Sequence, residues 1–279
     1  MSAHPLSHTA EHAFVACLEG VDNPVTGKNS FLDVGTLAEF VICFPDDELL
    51  KPYGRMLSDH ALRWLRTGLL ENAFVNSSAY EYAIALLLSF ATRAEGCRGE
   101  DRETLAGLVE SGVVGRTELP LTWNAAVRAH FAIAGLDVLS AVPDPGEIAD
   151  NLDKRVLRSK TDSYDLNALI TVAQLASLGL LERRDMPNRF AHVLLVHAMR
   201  QEHINWLPLA ALLGLDYYRI PLATVRAAKA RSQALVGGRT SLLPGPPDST
   251  KVDDRARISG QGVMIRSTLA HLCLLERAI

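Results

Sequence analysis

Residues 163–216 read SYDLNALITVAQLASLGLLERRDMPNRFAHVLLVHAMRQEHINWLPLAALLGLD, and they restrict the fold more than any other stretch. Tyr164–Leu181 has helical periodicity but is apolar nearly all round, through Leu166, Leu169, Ile170, Val172, Leu175 and Leu178. A helix without a polar face has to be covered on several sides by other elements. Asp162 or Ser163 can cap its start, and Gly179 lies near its end, where a left-handed residue without a Cβ closes a helix at little cost. One uncharged polar stripe interrupts the apolar surface. Tyr164, Asn167, Thr171, Gln174 and Ser177 follow at steps of three or four and share a face. Buried polar groups require partners. Two readings are open: hydrogen bonds to a neighbouring helix, or the wall of a pocket that offers those bonds to a ligand.

The next helix, Asn188–His203, follows Pro187 and carries His192, His197 and His203. His192 and His203 are three turns apart, about 16 Å, too far to share a metal ion. The run HAMRQEH is not HExxH, because its histidines are six apart and do not stack on one face. His197 points elsewhere, beside Phe190, Val193 and Gln201. It reads either as a hydrogen-bonded core residue or as a general acid or base. His130 offers the same pair of readings, since it shares a stripe with Trp123 and Asp137 at intervals of seven.

The remaining segments also read as helices. They span Ser7 or Thr9 to Gly20, Phe31–Phe44 behind Ser30, Pro52 to about Leu70, and Ala79–Ala94 behind Ser77 or Ser78. A shorter helix follows RGEDRE to about Gly112, and others cover Pro120–Gly135 and Glu147–Arg158. Pro208 and Pro221 each open one more, and a final helix runs from near Val252 to Ala278 with breaks at Gly260 and Gly262. His60, one turn before Trp64, is expected to pack against it. The break VPDPG marks a sub-boundary at 143–146 within a single domain spanning 1–279, and 237–252 is expected to be a flexible loop. No sheet of three or more strands is expected.

Three helix ends look alike: Ile133–Asp137, Ser177–Leu181 and Leu212–Asp216, each with a glycine followed by leucine, the pattern of a Schellman cap. With Gly96 included, these glycines recur about every forty residues, inside the ~20–50 residue range of repeat architectures. The expected fold is all-α, a curved or partly closed array of antiparallel helical hairpins. The Leu-Gly-Leu ends, over residues 80–216, resemble those of all-helical bacterial proteins of unknown function encoded beside natural-product biosynthesis genes. That resemblance implies a setting in secondary metabolism and supplies no catalytic residues.

Chemistry-bearing motifs are few. A Walker loop, GxGxxG, a GxSxG elbow and a zinc pair are missing, so kinase, dehydrogenase, serine hydrolase and zinc-protease readings fail, and no cofactor or metal is expected. Asp46 and Asp47 of PDDELL lack the downstream acid of a DDxxD metal motif and read as acids complementing a helix N-terminus. His4, His8 and His12, spaced by four, suit either weak metal binding or a frayed end. No apolar run approaches the ~18 residues that span a bilayer. No secretory signal is visible, and four scattered cysteines without CxxC fit a reducing cytoplasm.

Charge is uneven. Residues 1–60 hold nine acids against three bases, whereas 217–247 hold five bases and no acid. A basic nucleic-acid footprint is absent. Arg219, Arg226 and Lys229 can form one stripe, read as a solvated face, a counter-charge to the acidic first sixty residues, or a docking site for an anion, either a phosphate-bearing substrate or an acidic protein such as an acyl carrier. Two functions follow. The first is action on a small molecule held between helices, with His197, His130 and Tyr164 as catalytic candidates and Asn167, Thr171, Gln174, Trp206 and Trp123 lining the pocket. The second is a helical scaffold for a protein partner.

Overall fold

The computed structural model describes residues 4–22, 30–72, 78–110, 146, 150, 154, 170, 172–177, 179–185, 191–192, 195–196, 198–199, 207–244 and 260–279. More than three-quarters of them are helical, as the sequence leads one to expect. The helices are α1 (Pro5–Asp22), α2 (Ser30–Cys43), α3 (Lys51–Thr67), α4 (Leu69–Asn72), α5 (Ser78–Arg93) and α6 (Gly99–Glu110), then α7 (Leu207–Asp216), α8 (Leu222–Val236) and α9 (Gly260–Glu276). Residues 172–177 are helical as well. Among the described residues, no helix is long and apolar enough to cross a membrane.

Helix α2 is buried on nearly every side, from Phe31 and Asp33 to Phe44. It packs against α1, α3, α5 and α9. Two close approaches explain how so many neighbours fit. A Cβ added at Gly35 would stand 2.8 Å from the Cβ of Ala83 on α5, so only glycine lets those backbones meet. On the other side, a Cβ at Gly262 would lie 2.6 Å from the Asp33 Cα. Gly262 N–H donates to Asp33 Oδ1 at 2.5 Å. The first turn of a helix has N–H groups without intrahelical partners and a partial positive charge, so a carboxylate from α2 caps α9 from outside its own chain segment. Helix α9 runs without a break from Gly260 through Gly262, and residues 252–259 of the expected longer helix lie outside the described residues.

Helix α9 also packs on α1, α7 and α8. Helix α7, LPLAALLGLD, is buried from Leu207 to Gly214, as suits a helix apolar all round. Its Gly214 is an interior position, not a cap. A Cβ there would collide with the Ile220 side chain at 2.3 Å. At the second of the three similar ends the expected geometry holds. Gly179 has φ of 72°, Leu180 N–H donates to Leu175 O at 3.1 Å, and Gly179 N–H donates to Ala176 O at 2.9 Å, which is the Schellman pair of bonds. Helix α3 also ends on a left-handed glycine, Gly68 with φ of 64°, so the expected single helix to Leu70 is split into α3 and α4.

A feature absent from the sequence reading is a parallel pair of two-residue strands, β1 (Arg184–Asp185) with β2 (Tyr218–Arg219). Arg183 braces it by donating to Tyr218 O from Nε at 3.1 Å and Nη2 at 2.9 Å. Part of the expected flexible loop is pinned. Leu243 is buried with its N–H donating to Thr268 Oγ1 at 3.1 Å, and Thr9 Oγ1 donates to Thr240 O at 3.1 Å. Residues 245–252 and, apart from Gly146, the 143–146 boundary lie outside the described residues.

Gly262→Ala and Gly35→Ala should each lower stability by about 1–3 kcal/mol, because the new methyl meets backbone or a packed Cβ. Gly107→Ala, with open space around it, should be neutral or stabilising by up to about 1 kcal/mol. Urea denaturation midpoints check this ordering.

A second test concerns the α3–α6 joint. Burial pushes the Asp101 carboxyl up, but the Arg98 backbone N–H at 3.0 Å and Arg66 at 3.1 Å outweigh it and hold its pKa below the ordinary value. A depressed carboxylate contributes stability above its unfolded pKa and loses it as pH falls through the folded one. Asp101→Asn should thus lower the midpoint at pH 7, and the gap to wild type should close as pH drops below the ordinary carboxylate range.

Candidate functional site

Most of the residues singled out in the sequence, namely His197, His130, Tyr164, Asn167, Thr171, Trp206 and Trp123, lie outside the described residues. Gln174 is described. It is 1% exposed, and its Nε2 has no hydrogen-bond partner among the described residues. The turn before it touches α2, where Cys43 Sγ donates to Ile170 O at 3.8 Å.

The basic stripe is divided in its contacts. Arg219 reaches Asp185 at 3.5 Å across the strand pair. Lys229 Nζ donates to Arg277 O at 2.5 Å, so it holds the end of α9. Arg226 is exposed and has no ion pair or hydrogen bond to a described residue. Counter-charge to the acidic N-terminal region comes from a different residue. Arg277 Nη2 meets Asp216 Oδ2 at 2.9 Å and Asp47 Oδ2 at 3.0 Å. Asp47, from PDDELL, also accepts the Leu49 N–H at 3.0 Å, closing the turn before α3. Burial raises the Asp216 pKa against the pull of Arg277. These carboxylates tie segments together through an arginine, and no metal-holding group of three or more His, Cys, Asp or Glu occurs among the described residues.

Two histidines form buried contacts. His60 stacks on Trp64 with ring centroids 4.3 Å apart, as its spacing predicts. Ser232 Oγ and His271 Nδ1 are 2.7 Å apart between α8 and α9. The distance suits a nucleophile and its base. Both residues are 0% exposed, however, so a substrate does not reach the hydroxyl, and the pair joins two helices.

The open space lies elsewhere, between α2, α3 and α5. A cavity of about 230 Å³ opens there. Its floor is buried: Val41 and Ile42 from α2, Leu50 before α3, and Ser89 from α5. Half-buried Gly54, Ser58 and Phe90 form its walls, and exposed Pro45, Lys51 and Arg93 form its rim. Gly54 makes the room. A Cβ there would stand 3.5 Å from Val41 Cγ1 and 3.9 Å from Phe90 Cε1, an ordinary contact that would begin to fill the space. Sequence reasoning missed these residues, although two signals were present. Gly54 interrupts an amphipathic helix without ending it, and Ser89 interrupts the apolar run of α5.

The chain matches no protein-family profile, no curated protein and no solved structure.

The thiols define what is sealed. Burial, then the Asp33 charge, pushes the Cys17 thiol up to about 12, and burial raises Cys43 and Cys273 well above the ordinary range. Thiolate is the reactive form. A thiol reagent at pH 8 should therefore modify Cys97 alone quickly in the native chain, and all four cysteines after urea unfolding. Rapid labelling of two or more sites in the native chain would contradict the burial described here.

Proposed function

We propose that the protein binds a small organic molecule between helices α2, α3 and α5, without a bound cofactor. The observation that carries this reading is the cavity of about 230 Å³ with a floor of Val41, Ile42 and Leu50 and a mouth at Arg93 and Lys51. It is smaller than the ~300–1,000 Å³ of drug-sized sites, which suits a compact ligand. Action on that molecule in natural-product biosynthesis rests on the resemblance of the Leu-Gly-Leu ends, of which the Gly179 end has the cap geometry. An array of antiparallel hairpins belongs to the same proposal. It is supported by Phe31 lying on Trp64 at 5.0 Å while Val41 lies beside Gly54, so α2 and α3 run in opposite directions. Contacts between α1 and α9 favour a closed arrangement over an open solenoid, in which each unit touches only its neighbours. The scaffold reading, with an acidic partner such as an acyl carrier protein, draws on exposed Arg226 alone, since Arg219 and Lys229 are engaged.

The test is a plugged variant. Gly54→Leu fills the cavity and replaces a helical glycine with a better helix former. In a thermal-shift screen of small compounds, ligands at about ten times Kd stabilise the native chain by about 1.4 kcal/mol. Those same compounds should not shift Gly54→Leu, and Gly54→Ala should respond weakly. An unchanged response in the plugged variant would remove the cavity from the function.

A further inference from the structure

The charge and hydrogen-bonding pattern of this cavity point to one ligand class. We infer that it takes a small organic carboxylate, with the apolar body on Val41, Ile42 and Phe90 and the carboxylate at Arg93. The inference rests on the reading of the cavity as a ligand site.

The donors decide it. Ser89 Oγ donates to Leu86 O at 2.6 Å, and Ser58 Oγ donates to Gly54 O at 3.0 Å. Each hydroxyl hydrogen is thus committed to its own helix, leaving only acceptor lone pairs toward the cavity. Among the described lining residues, the side-chain donors that remain are the cations Lys51 and Arg93, and none of these residues is acidic. Lys51 Nζ is paired with Glu48, so its charge is balanced. Arg93 has no ion pair or hydrogen bond to a described residue. Although Arg93 stands at the exposed rim, partial desolvation lowers its pKa, a cost that a bound anion offsets.

An arginine fork matches a carboxylate with two parallel N–H···O bonds. One cation without a partner among the described residues, beside a buried apolar floor, suits a monoanion. A phosphate ester would bring close to two negative charges at pH 7. A cationic ligand would face Arg93, while the nearby acids Asp46, Asp47 and Glu48 act on Lys51 and are not part of the described lining. Arg93 also stands in the last turn of α5, where a cation complements the helix dipole. That role predicts a stability effect and no choice among ligands, so the two are separable.

The experiment uses the full chain and four probes of matched shape: phenylacetate, phenylacetamide, phenethylamine and phenyl phosphate, with affinities from titration calorimetry or NMR. Phenylacetate should bind at least tenfold more tightly than each of the other three. Arg93→Gln should reduce phenylacetate to the level of the amide and leave the amide unchanged. Arg93→Lys should recover part of the preference, since it restores the charge without the fork. Equal affinity for acid and amide in wild type, tighter binding of the phosphate, or a preference that survives Arg93→Gln would overturn the carboxylate assignment while leaving the cavity as a binding site. Failure of all four probes to bind wild type, or binding of phenylacetate that persists in Gly54→Leu, would overturn the cavity reading itself and the assignment with it.

Discussion

The described core depends on how α2 accepts neighbours on opposite sides. Its Asp33 carboxylate supplies the acceptor that the first turn of α9 lacks, and the meeting requires Gly262, because a methyl there would strike the α2 backbone. Two positions away, Gly35 lets α5 approach from another direction through Ala83. These contacts carry a structural cost if disturbed, since a buried charge without its donor is expensive. They also set the separation of α2 from α5. At Gly35 the two helices touch. About 9 Å further along α2, Val41 and Phe90 stand on either side of open space. The cavity is thus a consequence of where small residues permit contact and where larger ones prevent it.

Polar groups inside this bundle mostly join elements. Ser232 with His271 links α8 to α9, Thr268 holds Leu243 against α9, and Arg277 draws Asp47 and Asp216 together at the far end of the same helix. Tyr217 adds a bond from its hydroxyl to the Cys43 carbonyl at the end of α2. Each replaces a solvent partner lost on burial, which is why such groups are seldom left alone. The uncharged Gln174 Nε2 and the charged Arg93 guanidinium have no such partner among the described residues. Their positions differ. Gln174 is enclosed, whereas Arg93 stands where a ligand has access from solvent.

What was legible in the sequence was local. Prolines and small capping residues gave the starts of α2, α3, α5, α7 and α8 to within a residue or two, because capping is a property of a few adjacent residues. The cap at Gly179 and the His60–Trp64 contact are local for the same reason. What was not legible depends on distant partners. Gly214 has the same neighbours in sequence as a capping glycine, but Ile220 and the strand pair keep α7 running through it. Gly262 looks like a helix breaker until Asp33 is placed beside it. The cavity lining comes from three separate segments, none with a catalytic spacing, so motif reasoning had nothing to detect. The polar stripe of residues 164–177 drew attention as a one-helix pattern, and only Gln174 and Ser177 of it are described.

The bond between Asp33 and Gly262 spans 229 positions of chain. Ribosomes add roughly 5–20 residues per second, so about 11–46 s separate the synthesis of its two ends. Throughout that interval α2, apolar on almost every side, has no α9 to cover it. Contacts with α1, α3 and α5, such as Phe14 with Tyr53 and Phe31 with Trp64, are available to shelter it earlier. The side of α2 that receives Gly262 is therefore completed only once the chain from Gly260 onward has left the ribosome.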